Sequence, residues 1–469
     1  MSSKKTLQVL AGAIVILITV GLTYGFFNMK SMDIQSSTLI IVGSMIFLMS
    51  LGIPLGVVTM TVSIGTALAY FGVPGLFLVA SNAQGLLEAY PLVAVPLFVL
   101  MANILERSGV AEDLFDAMSI IAGRLRGGVA VQTTLVAVLM AAMTGIMGGE
   151  IVMLGLIALP QMLRLGYDKK LAMGTICAGG SLATLIPPSV IMIIYGLTAN
   201  VSISDLFLGG FLPGLLLASL YITYIMIRCQ IQPHLAPLPA EGLIQMSGAE
   251  KTAKMKGLIL PMLLILWVLG SIYGGIATVT EAAAVGVFGA VAAAAARKKL
   301  SWYMLQEALR KTMITVGTII WLILGAVSLV GIYNIIGGNT FVQGLLTGLD
   351  LPPLGVIFVI MGILIVLGTF MEWIAIAYIT VPIFAPVVVA LGFDPIWFGV
   401  LFVMNIQIYF LSPPFGPACF WLKSVAPPDI TLQEIFLAVL PFIGLQIIGL
   451  TLVMVFPEIV LVLPRLIGG

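Results

Sequence analysis

Three glutamates, Glu150, Glu281 and Glu372, stand inside long apolar runs among hydroxyls and glycines. A carboxylate taken out of water is costly, so each needs a cation, a proton or hydrogen-bond donors as a partner. Two double-proline segments could supply the rest of such chemistry. Leu185-Ile186-Pro187-Pro188-Ser189 and Leu411-Ser412-Pro413-Pro414-Phe415-Gly416 each remove N–H donors and put rings in the way of a helix, which frees backbone carbonyls. Freed carbonyls offer oxygens to a hard cation, and the N-termini of resumed half-helices favour anions. Broken helices in corresponding positions of two halves of a membrane chain point to a transport site near the bilayer midplane.

The two segments are copies. Their spacing is 413 − 187 = 226 residues, and the same offset carries Pro160, Leu165, Gly166 and Asp168 onto Pro386, Leu391, Gly392 and Asp394 without a gap. The first candidate cluster is therefore Thr144, Gly145, Ser181, Thr184, Pro187 and Ser189, with Glu150 beside it. The second is Thr278, Thr280, Thr369, Ser412, Pro413 and Gly416, with Glu372 beside it. Taken singly, each segment is explained by a proline kink whose hydroxyls bond carbonyls one turn back. Two kinks at one offset, each following a hairpin-like run, favour a site. Glu150 and Glu372 also have capping of a helix start as an alternative. Asp168 and Asp394 follow glycine and read as N-caps. Glu281 is placed to orient backbone near a cation ligand.

The elements that must position these residues are membrane helices. Of 469 residues, 61% are hydrophobic and 8% charged, and the mean hydropathy is +1.21, which no soluble domain of this length shares. Apolar stretches of roughly 20 residues, enough to cross a bilayer, recur along the chain. The fold class is an all-α polytopic membrane protein. A net charge of +1 argues against nucleic acid as a partner. Cys177, Cys229 and Cys419 show no metal or disulfide spacing, and His234 is the only histidine. With no His-Glu-x-x-His, no P-loop and no nucleophile paired to a histidine, an enzyme is disfavoured. A channel would need a run of polar pore residues, and none occurs.

Charge placement orders the crossings. Residues 1–36 form an extra N-terminal helix, read as a retained signal anchor with Lys4 and Lys5 cytoplasmic. Residues 37–228 form a first repeat, 229–257 a cytoplasmic linker rich in proline and lysine, and 258–469 a second repeat. Arg124 and Arg126 precede an apolar run and Arg164, Lys169 and Lys170 follow it, so both ends face the cytoplasm. The run is either two full crossings or a re-entrant hairpin, about 128–163, tipped at Thr144–Glu150. The buried carboxylate favours the hairpin. A second hairpin, about 353–389 and tipped near Glu372, faces outward, because no Lys or Arg occurs from Asn334 until Lys423. The halves are thus inverted repeats, with the C-terminus outside. Segments 112–123 and 301–311 read as interfacial arms.

Residues quoted above, together with Leu156-Ile157-Ala158-Leu159-Pro160, Gly166-Tyr167-Asp168, Ile186-Pro187-Pro188-Ser189, Thr280-Glu281-Ala282-Ala283-Ala284-Val285-Gly286, Gly392-Phe393-Asp394-Pro395 and Ser412-Pro413-Pro414-Phe415-Gly416, carry a family resemblance. Over about residues 37 to 460 the chain resembles the large membrane subunit of tripartite ATP-independent periplasmic (TRAP) transporters. The resemblance implies an elevator-type, sodium-coupled uptake of small organic acids, carboxylates or sulfonates, across a bacterial inner membrane. It implies Na+ as the coupling ion and no organic cofactor. It further implies two separate partners, a small four-helix membrane subunit and a periplasmic substrate-binding protein. On this reading Thr144, Gly145, Glu150, Ser181, Thr184, Pro187, Thr278, Thr280, Thr369, Ser412, Pro413 and Gly416 serve sodium, and Ser189 and Glu372 the substrate. The runner-up is a sodium/carboxylate symporter that needs no binding protein. The first hairpin tip, Met147-Gly148-Gly149-Glu150, departs from the family's Ser, Ala and Thr-rich tip.

Overall fold

Prolines, left-handed glycines and capping side chains decide where this apolar chain ends one helix and begins the next. In a computed structural model that describes residues 2–122, 125–237 and 248–467, every regular element is a helix or a short 3-10 turn. The first half contains α1 (Ser2–Asn28), α2 (Ile34–Ser50), α3 (Leu55–Phe71), α4 (Gly75–Leu87), α5 (Ala94–Ser108), α6 (Val110–Ala122), α7 (Gly128–Thr144), α8 (Met147–Arg164), α9 (Lys169–Ser181), α10 (Val190–Ala199) and α11 (Ile203–Ile231). The end of the expected linker forms α12 (Gly248–Lys256), and after it come α13 (Ile259–Tyr273), α14 (Val279–Ala296), α15 (Trp302–Ile335), α16 (Gly338–Thr347), α17 (Pro353–Gly368), α18 (Trp373–Ala390), α19 (Pro395–Leu411), α20 (Pro417–Val425), α21 (Leu432–Val455) and α22 (Glu458–Ile467). Among the described residues, 8 helices are long and apolar enough to cross a membrane.

The offset seen in the sequence governs the helices. Moved by 226 residues, the bounds of α8 become those of α18, and α9 and α19 then start in register. Their starts share a mechanism: Asp168 accepts from the Leu171 N–H at 2.9 Å, and Asp394 from the Ile396 N–H at 2.7 Å. Both proline pairs have a cis bond between the two prolines. One region breaks the parallel. Glu88-Ala89-Tyr90-Pro91 separates α4 from α5, whereas the corresponding Ile314-Thr315-Val316-Gly317 has no proline and α15 runs straight through. The segment 301–311, expected as a separate arm, is therefore the opening of a long helix. The other expected arm is α6.

The chain divides into two units, each drawing on both halves. The smaller comprises Met1–Ala89, Thr318–Val356 and Ile374–Val387. In it, α15 lies close against α3 and α4 through small residues: a Cβ on Gly325 would stand 2.2 Å from the Thr59 hydroxyl, and one on Gly331 2.1 Å from Asn82. A Thr38–Tyr333 hydroxyl pair at 2.9 Å ties α2 to the same helix.

The larger unit comprises Tyr90–Gly317, Ile357–Trp373 and Val388–Gly469. Its centre is α9, packed on α7, α8 and α21, with α10, α11, α19 and α20 around it. Glycines again set the approach: a Cβ on Gly174 would meet the Ala438 carbonyl oxygen at 2.4 Å. Beside it in this unit, α14 packs against α5 and α13. Ion pairs fasten its polar end, including Arg107–Glu307 at 3.3 Å, Lys311–Glu106 at 3.6 Å and a contact between Arg297 and Asp113.

Candidate functional site

The first break is sealed inside the larger unit. Every residue from 171 to 196 is buried, including all of Ser181-Leu182-Ala183-Thr184-Leu185-Ile186-Pro187-Pro188-Ser189. The α-helix of α9 gives out after Ser181, a 3-10 turn covers Leu182–Thr184, and α10 resumes at Val190 with Ser189 as its N-cap. Hydroxyls hold the unwound stretch. Ser181 donates to the Ala178 carbonyl at 2.7 Å, Thr184 to the Ser181 carbonyl at 2.8 Å, and Ser189 to the Thr184 carbonyl at 2.5 Å.

The turn between α7 and α8 is docked onto this stretch. Gly145 adopts φ +64°, and a Cβ there would stand 2.3 Å from the Pro188 carbonyl oxygen. The Gly145 carbonyl accepts from the Val190 N–H at 3.3 Å, so the turn and the resumed helix share a backbone bond. Left-handed backbone and close approach together require glycine at this position. On the other side of the turn, a Cβ on Gly180 would meet the Ile151 side chain at 2.3 Å, which brings the start of α8 onto the end of α9.

Glu150 lies in the first turn of α8 and points inward, 1% exposed. One of its carboxylate oxygens accepts from the Thr144 hydroxyl. The other, Oε2, has no hydrogen-bond partner among the described residues. A buried carboxylate oxygen with no donor is what a hard monovalent cation or a proton would complete. Thr144, Gly145, Glu150, Ser181, Thr184, Pro187 and Ser189 are thus brought together. Glu106 of α5 comes near the same tip: a Cβ on Gly149 would stand 3.5 Å from its Oε2.

The second break is built differently. Helix α19 is buried from Trp397 to Leu411, but Pro413, Pro414 and Phe415 are exposed. Ser412 donates to the Ile408 carbonyl at 2.7 Å and its own carbonyl accepts from the Gly416 N–H at 2.9 Å. The end of α17 meets this segment at Tyr409, 2.8 Å from where a Gly368 Cβ would be. Thr369, which donates to the Val366 carbonyl at 2.7 Å, and Glu372 follow in the same partly exposed tip. The tip that carries Thr369 and Glu372 thus meets the second break at Tyr409, whose carbonyl accepts from the Ser412 N–H.

Thr278 and Thr280 start α14, which packs on α5 and α13. Thr278 and Glu281 form a capping box, with the Thr278 N–H and hydroxyl both 2.8 Å from Glu281 Oε2. Helix capping accounts for Glu281, and the structure places the Thr278 hydroxyl in that cap rather than beside Ser412. Three buried residues that the motif reading did not single out, Gln407, Gln446 and Tyr221, meet at Ser181. For the two glutamines the signal was an amide in an otherwise apolar run, as in Ile406-Gln407-Ile408 and Leu445-Gln446-Ile447.

Comparison with known proteins gives this geometry a family. Residues 42–459 match the family described as tripartite ATP-independent periplasmic transporter, DctM component. The chain is 31% identical over 415 residues to the C4-dicarboxylate TRAP transporter large permease protein DctM of Vibrio cholerae serotype O1, covering 83% of this chain and 90% of that one. It is 29% identical to the ectoine TRAP transporter large permease protein TeaC of Halomonas elongata, over 91% of this chain and 98% of that one. It is also 29% identical to the isethionate TRAP transporter permease protein DctMQ of Oleidesulfovibrio alaskensis, where it covers 63% of the longer relative. Among solved structures, the Alcanivorax borkumensis YdaH transporter shares the fold, with a TM-score of 0.54 at 16% identity over 82% of this chain and 88% of that one. With its helical membrane architecture, its repeated broken helices and this match over nearly its whole length, the chain belongs to the DctM family of tripartite ATP-independent periplasmic transporter components.

Proposed function

We propose that the chain is the permease of a sodium-coupled, binding-protein-dependent system that takes up small organic acids across the inner membrane. The observation that carries the reading is the sealed first break, onto which the Gly145 turn is docked beside Thr144 and a buried Glu150 whose Oε2 is unsatisfied. An all-oxygen, water-poor set of this kind suits a hard monovalent cation, and the carboxylate supplies charge that dipoles alone do not. The relatives described above are named for C4-dicarboxylate, ectoine and isethionate, which supports a small organic acid, carboxylate or sulfonate, as the solute. The more open second tip, with Glu372 and Thr369, and Ser189 at the start of α10 are the solute-facing candidates. In the same reading α7–α8 and α17–α18 are re-entrant hairpins that ride an elevator movement, with the N-terminus cytoplasmic and the C-terminus periplasmic.

Uptake by proteoliposomes tests this directly. Transport is expected only with an inward sodium gradient, the small membrane subunit and a substrate-loaded periplasmic binding protein together. Sodium-driven uptake without the binding protein would replace this reading with a self-sufficient symporter. Topology has its own check, because the native cysteines are buried. Cysteines introduced at the exposed Leu125 and Lys170 are expected to label from the cytoplasm, and one at the exposed Ala390 from the periplasm. Labelling of the first two from opposite faces would rule out the hairpin.

A further inference from the structure

Ser181 ends the regular part of α9, and the residue one repeat further on is Gln407. These two equivalents touch: Gln407 Nε2 donates to the Ser181 carbonyl at 2.9 Å. A contact between a residue and its own copy occurs where a two-fold relation places its axis, so the pseudo-dyad of the repeats passes through this bond. Gln446 on α21 adds a second amide, its Nε2 3.2 Å from the Ser181 hydroxyl. The Tyr221 hydroxyl from α11 faces the same serine and Gln446. All four side chains are buried, and Gln407 Oε1, Gln446 Oε1 and the Tyr221 hydroxyl have no hydrogen-bond partner among the described residues.

The placement has a mechanical meaning. Ser181 is the last helical residue before the first break, and Gln407 sits one turn before the second, which opens after Leu411. The Ser181 carbonyl already accepts from Thr184, the hydroxyl that holds the unwound turn. A second donor arriving from the other repeat fixes where that carbonyl points, and a buried amide bond of this kind is costly to leave unmade.

We propose that Gln407 and Gln446 are positioning residues, which hold the break of α9 in its cation-binding geometry from the second repeat and so make sodium affinity at the first cluster depend on the second half of the chain. The inference rests on the sodium reading given above. Its test uses the full chain in detergent, with sodium chloride as the probe and choline chloride as the matched control, and reads the sodium-dependent rise in melting temperature. Gln407→Met keeps volume and removes the donor. It is expected to raise the half-saturating sodium concentration roughly threefold to tenfold, the range for one lost buried hydrogen bond, and Gln446→Met to raise it less. A residue that merely stabilises the fold would lower the melting temperature equally in choline and sodium and leave half-saturation where it was, and that result overturns the proposal. If Gln407→Met does not fold, Gln446→Met decides by the same criterion. Absence of any sodium-dependent shift in the unsubstituted protein would sink the sodium reading itself, and this inference with it.

Discussion

The two proline breaks occupy equivalent positions and face opposite circumstances. Around Pro187 the chain is buried from 171 to 196, whereas Pro413, Pro414 and Phe415 are exposed one offset later. The first tip presents a buried carboxylate to a hydroxyl; the second presents Thr369 and a partly exposed Glu372 beside an aromatic group, Tyr409, that lies near Phe415. A duplicated backbone device has thus been given two solvations. Where water is excluded, a cation must meet a complete set of protein oxygens; where it is not, water can complete the shell or a solute can enter. On the sodium-coupled reading proposed above, the first break is the better suited to tight ion binding and the second tip the more open to solute.

The sharpest way to break the comparison is at the tips. Gly145→Ala puts a Cβ into the Pro188 carbonyl on left-handed backbone, so the turn must shift at a cost of roughly 3 kcal/mol. Sodium-driven uptake should be lost and the melting temperature lowered by several degrees. Gly416→Ala meets a milder constraint, φ +30° and the edge of the Phe436 ring at 2.6 Å. Ring movement can relieve it, and about 1 kcal/mol is expected. Equal losses at the two positions would mean that the enclosure of the first break confers no special rigidity.

Charge removal gives the next effect in size. Glu150→Gln preserves shape and leaves the Thr144 contact available, but withdraws the formal charge. Half-saturating sodium for uptake should rise by about tenfold, the scale of a lost charged contact, with solute affinity little changed. Glu372→Gln should do the reverse, weakening solute handover more than sodium dependence. Glu150→Gln with an unaltered sodium curve and a flattened pH profile would assign the missing partner of Oε2 to a proton. If both curves stayed as in the parent, Glu150 would be no more than a favourable charge at the start of α8.

Much of this arrangement was legible in the sequence because it depends on local chemistry. Proline pairs break helices wherever they fall, an aspartate two residues after glycine starts them, and the 226-residue offset carries the bounds of α8 onto those of α18. What the sequence hid depends on which helices meet. Thr280-Glu281 looked like site residues because hydroxyls and carboxylates are scarce in apolar runs, yet Thr278 and Glu281 satisfy each other in a capping box. Gln407 and Gln446 belong to no motif, and their common partner, Ser181, is distant in sequence. The uninterrupted course of α15 turned on Gly317 standing where Pro91 stands in the first half, a difference visible in the sequence only once the offset is applied that far upstream.

The smallest expected effect lies where the first broken helix begins. Lys169 at the start of α9 pairs with Asp429, in the loop before α21, at 2.6 Å. The corresponding position in the second repeat is Pro395, which has no charge to offer. The pair is therefore a link that only the sealed break possesses. The Lys169 ammonium, by hydrogen bond and by charge, holds the Asp429 carboxyl below the ordinary carboxylate range. A carboxyl with a depressed folded-state pKa stabilises the fold above its unfolded pKa and loses that contribution as pH falls through the folded value. Both side chains are exposed, so salt screens the pair and its worth is modest. Asp429→Asn should accordingly lower the melting temperature slightly at neutral pH and low ionic strength, and the difference from the parent should vanish in high salt or below the carboxylate range. A gap that persisted in acid would show that packing in the loop, rather than the charge pair, ties the start of α9 to the second half.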